Sequence, residues 1–128
     1  MKILEILEKS KNLILDKKNW TRITFARDKD NRSVSPVNPE AVCFCALGAL
    51  SKICDCKNVI ESNESISCGG REAYYYLCIA ANKIVVEGGR KFDGSNPVSW
   101  VNDVLHHQDV LDMYDSAIEL AKKGDIGY

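Results

Sequence analysis

The sequence predicts a mainly α fold: a single-domain bundle of four to five helices, with a short β-hairpin or extended pair after the first helix. Three observations carry that prediction. Apolar residues recur at helical spacing near both ends of the chain and again in REAYYYLCIAANKIVVE. The stretch AVCFCALGAL, residues 41–50, holds no charge and is apolar almost all round, the pattern of a buried central helix. Between the first helix and that stretch lies a run of β-formers broken by the polar turn DKDNRS.

Taken in order, residues 2–17 read as an amphipathic helix. Ile3, Ile6, Leu7, Leu13 and Ile14 share one face, and Glu5 precedes Lys9 by four positions on the other, the favourable order for an ion pair. Trp20, Thr21, Ile23, Thr24 and Phe25 favour extended backbone, so residues 20–27 and 32–36 are expected to pair. Asn38 then offers a cap, Pro39 suits a first helical position and Glu40 suits the positive end of the dipole, predicting a helix from 39 to about 53. Gly48 inside it costs about 1 kcal/mol relative to alanine, which implies close approach of a neighbouring element where a side chain would not fit. Residues 54–70 read as a polar loop ending in Gly69-Gly70. Tyr74, Leu77, Cys78, Ala81 and Ile84 form the stripe of the next helix, which Gly88-Gly89 ends. After a second loop, Asn96-Pro97 starts a short helix through Trp100 that gives way between Asn102 and His107. The last helix, about 108–123, carries Val110, Leu111, Tyr114, Ala117, Ile118 and Ala121 on one face, with Lys122 and Lys123 at its negative end and Gly124 as its stop.

Composition narrows the classes of function. A chain of 128 residues with 45% hydrophobic and 27% charged content is sized for one globular domain, residues 1–128, with a real core. A formal net charge of −1, with both signs interleaved, gives no basic stripe for phosphates, so nucleic acid is not expected as a partner. Glu5, Glu8 and Lys9 interrupt what would be the apolar core of a signal peptide. No window approaches the ~18 apolar residues of a membrane span. A cytoplasmic location without membrane contact is therefore expected.

Six cysteines, at 43, 45, 54, 56, 68 and 78, are the most chemically suggestive feature. A disulfide framework belongs to a secreted context, for which the signal is missing. Zinc would have CFC and CDC supply four thiols, but structural sites favour two to four intervening residues, and helical neighbours two apart point about 200° from each other; no metal is expected. A nucleophile would set Cys45 against His106 or His107, the only two histidines, with the imidazole oriented by Asn102 or Asp103. A CxC redox pair is a further reading. Burial as small hydrophobes among alanine, valine and leucine accounts for Cys43 and Cys45 best.

Other candidates are polar. Asn102 and Asp103 in WVND, and His106 and His107 in HHQD, flank a predicted helix boundary, where capping is their expected role and lining a cleft the functional one. Arg27 could clamp a carboxylate or phosphate, although surface ion pairing with Asp28, Asp30 or a helix carboxylate is the preferred reading. Asp28-x-Asp30 lacks the glycine and the glutamate of a calcium loop. Of Tyr74, Tyr75 and Tyr76, at least one ring must face outward. No P-loop, GxGxxG, HExxH or GxSxG is present.

ARDKDNRSVSPVNPEAVCFCALGAL, then WVND, then DVLDMYDSAIELA resemble a family of small uncharacterised bacterial and phage proteins with ARD…G, WCxxGAL, W/F-N-D and DVLxxxDxAI motifs. The match runs from about Trp20 to Ala121. The motif positions fall on Trp20, Arg27, Asp28, Cys45, Gly48, Trp100, Asn102, Asp103, Asp109 and Asp115. The chain departs in having Phe44 where tryptophan is usual and Asn31 where glycine is common. The resemblance implies a free-standing intracellular domain without secretion-type disulfides, and it supplies no mechanism. The expectation is a small module of unknown activity that binds a protein or small-molecule partner without catalysis or cofactor, in a phage–host or regulatory setting. Arg27, Asp28, Trp100, Asn102 and Asp103 are its candidate binding residues. The alternative is a cysteine-dependent acyl transferase or hydrolase built on Cys45, His106 or His107, with Asp103.

Overall fold

A computed structural model describes residues 2–89 and 96–124. Among these the chain is mainly helical, with six α-helices and a three-stranded antiparallel sheet after the first. The second predicted loop, at residues 90–95, lies outside the described residues.

Helix α1 (Ile3–Leu13) buries Ile6, Leu7 and Ser10 and carries the expected Glu5–Lys9 pair at 3.1 Å. It ends four residues earlier than the periodicity suggests. Ile14 and Leu15 donate three residues back, to Lys11 and Asn12, and Asp16 then caps a 3-10 turn at Lys17–Asn19. The apolar period therefore outlasts the helix: Ile14 stays fully buried past its end.

The extended pair is present but short. Strand β1 (Ala26–Arg27) pairs antiparallel with β2 (Ser33–Val34). Asn31 sits in the turn at φ 64°, a left-handed conformation that asparagine tolerates better than most residues.

The predicted helix over 39–53 requires the largest correction. Its first seven residues are not helical. Asn38 Oδ1 accepts from the Glu40 backbone in a local turn, and Cys43–Phe44 forms β3 on the free edge of β1, giving the sheet order β2-β1-β3. Pairing with β1 satisfies backbone groups that a helix would have bonded internally. Helix α2 (Ala46–Ile53) starts only after Cys45, whose Sγ accepts from the Gly48 N–H at 3.2 Å as the N-cap. Cys43 is thus a half-exposed strand residue, whereas Cys45 is buried.

The loop read over 54–70 contains a short helix, α3 (Glu64–Cys68). Gly69, at φ 90°, turns the chain into α4 (Gly70–Glu87). The buried stripe of α4 runs through Ala73, Tyr76, Leu77, Ala80, Ala81 and Val85, so Tyr74, Cys78 and Ile84 lie at its margin and Tyr75 is the exposed ring. Helix α5 (Pro97–Val104) begins at the predicted Asn96 cap and continues past Trp100. Helix α6 (His107–Lys123) ends at Gly124 in the left-handed conformation.

One hydrophobic cluster draws on α1, α2, α4, α5, α6 and the sheet residues Ala26 and Phe44. Helix α2 contributes Ala46, Leu47, Ala49 and Leu50, none more than 1% exposed. At Gly48 an added Cβ would stand 1.8 Å from the Phe25 carbonyl oxygen. The element expected against Gly48 is therefore the backbone leading into β1.

Candidate functional site

Of the polar residues singled out in the sequence, Asn102 and Asp103 on α5 meet the segment that leads into the sheet, whereas Asp28 and His106 are engaged elsewhere. Asn102, 1% exposed, sits at the centre. Its Oδ1 accepts from Trp20 Nε1 at 2.7 Å and from the Ala46 N–H at 2.9 Å, and its Nδ2 donates to the Thr21 carbonyl at 3.1 Å and to Asp103 Oδ1 at 2.9 Å. All four bonding positions of the amide are thereby filled. The bond to Ala46 satisfies an orphan donor in the first turn of α2, so a side chain from α5 caps a helix more than fifty residues away in sequence.

Arg27 is similarly occupied. It donates to Thr21 Oγ1 at 2.9 Å and to the carbonyls of Arg22 and Asn31 at 3.2 Å. The carboxylates expected as its partners bind Arg32 instead, through Asp28 at 3.0 Å and Asp30 at 3.1 Å. Asp28 also accepts the Asp30 and Arg32 N–H groups at 2.9 Å. The bond from the Arg32 backbone is the largest influence holding its carboxyl below the usual value. Trp100 lies half-buried on α5 and packs against the core cluster.

These contacts hold one loop, residues 21–25, between the 3-10 turn and β1. Arg22 lies over the Trp20 ring, 4.8 Å from its centroid, and bonds the carbonyls of Asn102 and Leu105. Ile23 donates its N–H to Asp103 Oδ1 at 2.9 Å. Its side chain is 78% exposed and its φ is 77°. A β-branched residue in the left-handed region is a genuine outlier, costing about 1–3 kcal/mol. Nothing in RITF signals it, because β-branched residues ordinarily announce extended backbone.

The thiol and imidazole candidates are placed apart in role. Burial pushes the Cys45 thiol up to about 11, away from the range of a reactive thiolate, and its sulfur serves the α2 cap. His107 Nε2 donates to the Ile14 carbonyl at 2.7 Å, and its ring lies tilted at 44° against Trp20 with centroids 5.1 Å apart. His106 is the α6 N-cap residue, its side chain 91% exposed near Asp109. No hydrogen bond joins Cys45 to either imidazole among the described residues. The same residues contain no cluster of three or more His, Cys, Asp or Glu side chains that could hold a metal ion, and no helix long and apolar enough to cross a membrane.

Residues 1–120 match the model of a family described as a family of unknown function (DUF6197). No curated protein and no solved structure matches the chain.

Proposed function

Because the chain belongs to the DUF6197 family, whose function is unknown, its role has to be read from its own surface, and we propose that it is a non-catalytic module that grips a protein partner through the loop carrying Ile23. The observation that carries this reading is the strained, exposed isoleucine. Strain of this kind persists only where surroundings over-determine it, and it concentrates at functional positions. Here Asp103 fixes the Ile23 N–H, Asn102 fixes the preceding Thr21 carbonyl, and Arg27 fixes the Arg22 carbonyl. In this reading Asn102, Asp103 and Arg27 act as positioning residues that hold an apolar knob outward, and the partner supplies an apolar pocket for it. A cytoplasmic location is proposed from the charges that interrupt the N-terminal apolar run, and a phage–host or regulatory setting from the sequence resemblance.

The test is Ile23→Gly. Glycine adopts a positive φ without penalty, so the variant should unfold at a higher denaturant concentration than the parent, by about 1 kcal/mol. Partners retained from extracts of the native host, quantified by mass spectrometry, should be lost from Ile23→Gly and kept by Ile79→Glu, a change at an exposed position of α4. An unchanged partner set with Ile23→Gly would end the proposal.

A further inference from the structure

The outward face of α4 is built differently from those of the other long helices. The exposed sides of α1 and α6 carry charge: Glu5, Glu8 and Lys9 on the first, Asp112, Glu119 and Lys122 on the second. The exposed side of α4 instead carries Tyr75, Ile79 and Val86. At spacings of four and seven these fall within about 40° of one another round the helix, opposite the buried residues Ala73, Leu77 and Ala80. Helix α4 is therefore apolar on two opposite faces, of which the core covers one.

Charge is confined to the ends of the uncovered face. No residue from Ala73 to Asn82 is charged, and Glu72 and Lys83 bound that run. Glu72, Tyr75, Ile79, Lys83 and Val86 succeed one another at three or four positions, the spacing of a single helix face. Glu72 and Lys83 stand about 16 Å apart along the axis, too far to pair with each other. Neither takes part in an ion pair among the described residues.

This face is its own complement. Let two copies of α4 lie antiparallel, face to face, about a two-fold axis midway between Glu72 and Lys83. Glu72 of each copy then stands level with Lys83 of the other. The two also share an edge of the contact, because both lie on the same flank of the apolar stripe and the axis keeps that flank in place. Tyr75 falls one residue's rise from Ile79 of the other copy. A crossing angle near 20° keeps the ends within reach of long side chains. A parallel arrangement would instead set Glu72 on Glu72 and Lys83 on Lys83.

We propose that the protein forms a two-fold symmetric dimer through α4, with Tyr75 and Ile79 packed across the axis and Glu72–Lys83 pairs closing its rim. A two-fold contact requires one patch that complements itself, and the register of charge and apolar side chains on this helix meets that requirement. Tyrosine supplies contact area at such an interface, while rim ion pairs mainly fix orientation. One helix on one helix buries less than the ~1,200 Å² of a stable complex, so the dimer is weak, with a Kd of about 100 µM. It uses none of the residues that hold the Ile23 loop, so association through α4 and capture through Ile23 are separable.

The test is sedimentation equilibrium of the full chain from about 10 µM to about 1 mM, kept reduced so that no thiol links the copies. The parent should show a reversible monomer–dimer equilibrium. Ile79→Glu, which sets like charges across the axis, should remain monomeric with its far-UV circular dichroism unchanged. Glu72→Lys and Lys83→Glu should each weaken the dimer about ten-fold, and both changes in one chain should restore it to within about three-fold of the parent. Mixing the two single variants should also restore association, since each supplies the charge that the other lacks, and an unfolded variant could not recover in this way. A parent that stays monomeric at the highest concentration would overturn the proposal. So would a dimer that survives Ile79→Glu, or a double variant and a mixture no tighter than the single variants.

Discussion

At the scale of single residues, the polar groups of this chain are organised to hold backbone. Asp28 shows how. It is 7% exposed, and its carboxylate gathers two backbone N–H groups and the Arg32 side chain around a four-residue turn. Because these bonds favour the charged form, its pKa is lower folded than the ordinary 3.8. The stabilisation they provide is therefore complete above about pH 4 and is lost as the pH falls through the folded value. Asp28→Asn keeps an acceptor but discards the charge. The parent should be the more stable of the two at pH 7, and the gap in chemical denaturation midpoints should shrink below pH 4 and close in stronger acid. A gap independent of pH would mean that the charge contributes nothing. Cys45 illustrates the opposite case. Its burial among alanine and leucine was legible in AVCFCALGAL, but its use as a helix cap was not, since a thiol is a weak acceptor and no composition rule places one at that position.

At the scale of elements, the contest between β3 and α2 explains where sequence reading stopped. Asn38-Pro39-Glu40 carries local helix-start chemistry, and a single segment read alone favours a helix from there. The deciding interactions are non-local: Val42 and Cys45 donate to the carbonyls of Arg27 and Phe25 at 2.9 and 3.1 Å, pulling the strand into the sheet. Gly48 was legible as a point of close approach because glycine in an apolar helix is costly, although the identity of the neighbour was not. Closeness this severe gives a sharp expectation. An alanine methyl would overlap the Phe25 carbonyl, which is backbone held by the Cys45 N–H and cannot rotate away. Gly48→Ala should cost about 3 kcal/mol or more, at or beyond the upper end of overpacking. Equilibrium denaturation showing less than about 1 kcal/mol would place that carbonyl among movable groups. The helices α4 and α6 were legible as helices for the complementary reason that they pack mainly on other helices, although in α4 the buried face is centred on Ala73, Tyr76, Ala80 and Val85 beside Leu77 and Ala81, and not on Tyr74, Cys78 and Ile84.

At the scale of the whole molecule, polar bonds tie helix to helix and the segment entering the sheet to α5 across a hydrophobic seam. Tyr114 in α6 donates to the Ala46 carbonyl at 2.7 Å, His107 reaches the end of α1 at Ile14, and Asn102 binds Trp20, Thr21 and α2 at once. Among the described residues no buried side-chain nitrogen or oxygen lacks a partner, so removing one hub exposes several unpaired groups together. Asn102→Ala would strand the Ala46 N–H, the Trp20 Nε1–H and the Thr21 carbonyl, at about 1–3 kcal/mol for each group that water cannot reach, for a total of about 3–5 kcal/mol. Two of those groups belong to the segment entering the sheet, whereas α4 and α6 keep their own apolar contacts. The loss should therefore be uneven. In native-state hydrogen exchange, the amides of Thr21, Ala26 and Cys45 should gain at least about ten-fold in opening relative to those at Leu77, Ala81 and Tyr114. Equal acceleration everywhere would mean that the seam is held by apolar packing and that Asn102 serves the fold only as one more buried contact.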